Sequence, residues 1–119
     1  MYKLTTDLAK NRILVTFVGA FDYDARDLAK EIQDASQRIR LNCGHFDMLS
    51  DWTQASTMPQ EHAKAGEDVV AWCVANGLRK SANVMDAILL QMQVKRVSNE
   101  DDKIGFFATQ TEAEAWLSA

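Results

Sequence analysis

The sequence predicts an α/β domain of order β-β-α-β-α-β-α-β-α, with a mixed, mostly parallel sheet led by an N-terminal hairpin and carrying four helices. Three observations carry this. Two runs with apolar residues near the start are joined by only four residues, which suits a hairpin. Apolar residues then recur at three- and four-residue spacing in several later segments, the period of amphipathic helices. Between those segments stand short apolar runs bounded by glycine, proline or capping residues, and helices of that length can return the chain to a parallel neighbour.

The hairpin comes first. Tyr2 to Asp7 alternates apolar and polar side chains, Leu8-Ala9-Lys10-Asn11 connects, and Arg12 to Val18 is apolar on both faces, as a strand covered on both sides would be. The first arm reads as an edge, and Gly19 ends the second. From Asp24 to Arg40 the residues Leu28, Ile32, Ala35 and Ile39 form one helical face, with Arg26, Lys30, Asp34 and Arg38 on others. After Asn42-Cys43-Gly44, the segment His45 to Asp51 is the third strand.

The polar stretch Thr53 to Thr57 precedes a helix running from Pro59 to about Ala75, with Thr57 and Gln60 as a capping box and Asn76-Gly77 as its left-handed stop. Leu78 to Met85 is the fourth strand. Asp86 reads as the N-cap of a helix from Ala87 to about Asn99, in which Ile88, Leu89, Met92 and Arg96 share a side. Asn99-Glu100-Asp101-Asp102 is a solvated turn and Lys103 to Ala108 the last strand. Thr109 with Glu112 makes a capping box for a final helix carrying Ala113, Trp116 and Leu117.

At 119 residues the whole span 1–119 reads as one domain, able to bury roughly two-thirds of the surface its unfolded chain exposes. Apolar residues make up 47% and charged residues 25%, a globular balance. A net charge of −4 with no concentrated basic face argues against nucleic acid as a partner. Met1-Tyr2-Lys3-Leu4-Thr5-Thr6 has no apolar leader core, and no run approaches the ~20 apolar residues that span a bilayer. The expectation is a cytoplasmic protein with no membrane insertion, in which Cys43 and Cys73 are buried free thiols.

Several phrases resemble the STAS-type domain family, which includes bacterial anti-sigma-factor antagonists and a less characterised SpoIIAA-like set. They are Ile13-Leu14-Val15-Thr16-Phe17-Val18-Gly19 in the hairpin, Leu49-Ser50-Asp51-Trp52, and the run from Asp86 to Arg96. The tail from Phe106 to Leu117 is similar to the closing strand and helix of the SpoIIAA-like set. The resemblance implies a SpoIIAA-like fold and a domain that docks on a partner. In some members a serine or threonine after the third strand is phosphorylated, within an Asp-Ser-Ser-Gly-like phrase. This chain has Ser50-Asp51-Trp52-Thr53-Gln54-Ala55-Ser56 there, without the glycine, so no single phosphoacceptor carries over.

Ligands of parallel sheets meet the carboxyl ends of the strands, and that rim gathers Phe21, Asp22, Ser50, Asp51, Trp52, Thr53, Asp86 and Thr109. Asp86 and Thr109 read equally as helix caps, Trp52 as an anchor, and Asp22 and Asp51 as solvated turn residues. A phosphate on Ser50, Thr53, Ser56 or Thr57 would place nearly two negative charges near a helix start, where free amides favour an anion. Cys43, His45 and Asp47 alternate along the chain, but side chains ~7 Å apart on one strand face do not make a compact metal site. No metal and no cofactor is implied. Asp51, Asp86 and His62 are the remaining catalytic constellation, with no nucleophile elbow or phosphate loop beside them. Met85, Met92, Trp72 and Trp116 suit core positions and could also line an apolar pocket; Lys95-Arg96 and Arg79-Lys80 are two small basic spots.

The leading expectation is therefore a non-enzymatic, STAS-like regulatory domain that docks a protein partner, or a second copy as a homodimer, on the rim. The alternative is a carrier of a small apolar ligand or lipid, bound between sheet and helices. A hydrolase is third.

Overall fold

The structure, a computed structural model, describes residues 1–86, 88–97 and 102–119, and of residues 88–91 and 97 the helix backbone. Its elements are β1 (Tyr2–Asp7), β2 (Arg12–Gly19), α1 (Ala25–Cys43), β3 (Phe46–Ala55), α2 (Gln60–Ala75), β4 (Leu78–Val84), α3 (Ile88–Val97), β5 (Ile104–Phe107) and α4 (Gln110–Ser118). The expected order is the observed one. The Asn99–Asp101 part of the predicted turn, the predicted helix ends at Ala87 and Asn99, and the shared side assigned to Ile88 and Leu89 lie outside the described residues and side chains.

The strands lie in chain order, β1-β2-β3-β4-β5. β1 pairs antiparallel with β2 and forms the edge; the other pairs are parallel. Because each parallel connection steps the same way and right-handed crossovers are the rule, α1, α2 and α3 share one face of the sheet. The chain after β5 is free of that constraint, and α4 covers the opposite face through Ala113 and Leu117, both fully buried against Leu49, Ala82 and Val84. β2 serves both layers: Ile13, Val15 and Phe17 point to the three-helix face, and Leu14 to α4.

Local signals account for most boundaries. Asp24 caps α1 by accepting from the Arg26 N–H at 2.9 Å, and Thr109 caps α4 by accepting from the Glu112 N–H at 3.2 Å. Helix α1 runs three residues past Arg40 and stops at Gly44, whose φ of 81° only glycine adopts readily.

Other boundaries are tertiary. β3 continues four residues beyond Asp51, through the stretch expected to be a polar connection, because the end of β2 pairs with it: Val18 lies opposite Gln54 and Gly19 opposite Ala55. The Thr57–Gln60 capping box does not form. Helix α2 begins behind Pro59 with no side-chain cap, and the segment before it is held from α3, where the Gln93 amide accepts from the Met58 N–H at 3.2 Å and donates to the Met58 carbonyl at 3.1 Å. Helix α3 turns Val94 inward and leaves Met92 and Arg96 exposed, so the core role expected for Met92 is corrected. Cys43 is exposed in the last turn of α1, not buried; Cys73 is buried, and both are free thiols.

Candidate functional site

The three-helix face encloses a cavity of about 110 Å³. Since a void needs only ~10–15 Å³ of such space per water, this is room for several waters or one small organic molecule. Its floor is the sheet: Val15 and Phe17 from β2, Met48, Ser50 and Trp52 from β3, Ser81 and Asn83 from β4. Strand alternation puts these side chains on one face, and an extra residue in β4, between the partners of Phe46 and Asp47, brings Ser81 and Asn83 into phase with Met48 and Ser50. The roof comes from α1 (Leu28, Ile32), α2 (Val69, Val70, Cys73) and α3 (Val94).

One end is aromatic. Phe17 stacks on Trp52 with centroids 4.0 Å apart, and Phe21 and Tyr23 close the corner against His62. Trp52 is locked in turn, since its indole N–H donates to Asn83 Oδ1 at 2.9 Å while the Asn83 amide donates to the Gly105 carbonyl at 3.3 Å. His62 Nε2 lies 2.9 Å from the Tyr23 carbonyl, which fixes it as the protonated nitrogen and ties α2 to the loop after β2. Its Nδ1 is buried without a hydrogen-bond partner, 3.9 Å from Glu61. Burial pushes the Tyr23 phenol up to about 12, with Asp22 adding to the effect, and burial does the same for the Cys73 thiol, against a weaker opposing pull from Arg40.

The predicted rim divides between this cavity and other places. Phe21, Ser50 and Trp52 line it. Asp51 points to the α4 face, where its Oδ1 accepts from the Thr53 N–H and hydroxyl at 2.9 and 2.7 Å. Asp22 is exposed and pairs with the Met1 ammonium at 3.0 Å, which together with a backbone hydrogen bond holds its carboxyl below the usual range. Thr109 is a helix cap and Asp86 an exposed loop residue. Ser50 and Thr53 lie inside β3 rather than at a helix start, and Ser50 is buried; Ser56 and Thr57 are the exposed hydroxyls before α2.

The catalytic constellation does not assemble, because Asp51 and His62 are on opposite faces of the sheet. Cys43 and His45 fall in a helix end and an exposed turn, not on a strand face with Asp47, and no group of three metal-ligating side chains occurs among the described residues. Asp47 instead accepts from Arg79 at 2.9 and 2.6 Å, and Arg79 and Lys80 donate to the Leu117 and Trp116 carbonyls, so this predicted basic spot is a clasp on the end of α4. Sequence reasoning missed Val15, Phe17, Met48, Met58, Ser81 and Asn83 as parts of one site. The in-phase strand residues were the available signal, but their convergence with three helices was not.

No family model matches the chain, and no curated protein does. Among solved structures it is similar to an uncharacterised protein of the DUF3478 family with a SpoIIAA-like fold from Shewanella loihica PV-4. The two are 16% identical, with a TM-score of 0.69, covering 98% of this chain and 92% of that one.

Proposed function

From a chain whose fold is SpoIIAA-like, we propose a non-enzymatic binding module that carries a small, mostly apolar molecule in the cavity beneath α1, α2 and α3, in the cytoplasm. The observation that supports this most is the cavity itself: about 110 Å³ lined mostly by aliphatic and aromatic side chains, with a few polar groups, Ser50, Ser81 and Asn83 on the strands and His62 on α2. That is the usual make-up of a small-molecule site. An apolar cavity of ~150 Å³ accepts a benzene-sized guest, so the volume is of the right order. Against a hydrolytic role, no carboxylate lines the cavity among the described residues, and Asp51 lies on the opposite face of the sheet from His62.

Docking of a protein partner or a second copy at the rim is the competing reading, with phosphorylation at Ser56 or Thr57 as its regulatory form. The large exposed apolar side chains among the described residues, Met1, Leu8, Leu41 and Met92, are scattered over the chain start, the hairpin turn, the end of α1 and α3. A docking face would gather them. No described helix is long and apolar enough to cross a membrane.

Titration with toluene, followed through the three tryptophan indole N–H resonances, separates the readings. A saturable shift of Trp52 with Trp116 unmoved is the expected result. An unmoved Trp52 up to the solubility limit of toluene removes the carrier reading.

A further inference from the structure

The cavity has a polar floor that nothing in the protein uses. Ser50 and Ser81 are buried, at 5% and 9% exposure, and both line the cavity. Neither hydroxyl makes a hydrogen bond to any described residue, whereas the neighbouring Asn83 amide is committed to Trp52 and Gly105. Two hydroxyls on largely buried residues, without a protein partner among the described residues and open to the cavity, mark where a guest's polar atom belongs. Ser50 lies across from Asn83 in the β3–β4 ladder, and Ser81 is two residues earlier on the same strand, ~7 Å along it. The two serines thus lie on the same face of adjacent strands, with Ser50 two residues before Trp52 on β3.

The rest of the lining is uncharged. No Asp, Glu, Lys or Arg lines the cavity among the described residues. Three titratable side chains do line it, Tyr23, His62 and Cys73: burial pushes the phenol and the thiol each up to about 12, and His62 gives its Nε2 hydrogen to the Tyr23 carbonyl while its Nδ1 has no partner. An ionised guest would leave water for a site with no Asp, Glu, Lys or Arg to pair it, which is strongly unfavourable.

Resting on the carrier reading, we propose that the guest is a small neutral amphiphile: a single ring or short chain bearing one hydroxyl, phenol or amide group. Its polar end hydrogen-bonds Ser50 and Ser81, and its apolar body packs against Phe17, Met48, Trp52 and Val69. The serines act as both donors and acceptors, so they take a hydroxyl in either orientation.

Three probes of one shape test it: toluene, benzyl alcohol and benzoate, titrated at pH 8 with the Trp52 indole resonance as readout. The expected order places benzyl alcohol first and benzoate at least about tenfold weaker than it. Ser50→Ala and Ser81→Ala, each small enough for the strand to tolerate, reduce the preference for benzyl alcohol over toluene by about three- to tenfold, the range of one neutral hydrogen bond. Benzoate binding as tightly as benzyl alcohol, or a preference unchanged in both variants, overturns the proposal while toluene binding leaves the carrier reading standing. If none of the three probes moves Trp52, the carrier reading itself falls and this inference with it.

Discussion

Beneath α4 the sheet is covered by nine residues and nearly filled, with about 40 Å³ left open; beneath α1, α2 and α3 it is covered by three helices and left hollow, with about 110 Å³. On the α4 face Ala113 and Leu117 sit on Leu49, Ala82 and Val84, and Phe107 packs on Trp116 with centroids 5.3 Å apart. The helix end is then fastened by charge: Arg79 bridges Asp47 to the Leu117 carbonyl, Lys80 reaches the Trp116 carbonyl from above its ring, and buried Arg12 approaches Glu114 at 3.8 Å. On the other face no Asp, Glu, Lys or Arg lines the cavity among the described residues, and α1, α2 and α3 span the sheet without filling the space between their undersides and the strands. The single helix of nine residues is held by complementary packing and a clasp. Of the other three, α1 and α2 run 19 and 16 residues and arch over a void of the kind that holds ligands.

The clasp offers the sharpest way to break this comparison. Asp47→Ala strips both bonds from Arg79 and leaves a part-exposed guanidinium with only a carbonyl partner; with its charge partly screened by solvent the expected loss is about 2 kcal/mol, read from urea denaturation. A loss under about 1 kcal/mol would mean that packing alone holds α4. Next in size is a matched pair of insertions. Ala113→Leu forces extra volume into the filled face and costs about 1–3 kcal/mol, whereas Ala65→Leu, at the cavity wall, stays within about 1 kcal/mol of the parent and abolishes toluene binding. Equal costs at the two positions would erase the distinction between the faces. The smallest effect is expected from Thr109→Ala, which removes the α4 cap for about 1 kcal/mol and leaves cavity binding unaltered, since Thr109 lies away from the lining.

The filled face was the more legible of the two from sequence. Thr109, Glu112, Ala113 and Leu117 announce a capped helix and its buried stripe within nine residues. The element order followed from signals of the same local kind. The cavity did not, because its lining residues point elsewhere in their own segments: Ser50 reads as a rim residue and phosphoacceptor candidate, and Ser81 and Met48 only as members of short strands. Only the β3–β4 register places the two serines on one floor. The boundary misses have the same origin. β3 is lengthened by the tail of β2, the start of α2 is held by Gln93 from a distant helix, and the outward turn of Met92 depends on where the sheet lies relative to α3. Arg79 gave an inverted signal, a base that suggests a surface spot, since an ion pair between neighbouring strands looks like two surface residues until Asp47 and Arg79 are brought together.

The claim that one face is hollow in order to hold something is tested most directly by locating bound toluene through nuclear Overhauser contacts. The expected contacts run from the guest's ring to the methyl groups of Met48, Met58 and Val15 on the cavity side, with none to Ala113 or Leu117. Contacts on the α4 side, or a saturable titration with no contact to the three cavity methyl groups, would contradict the account.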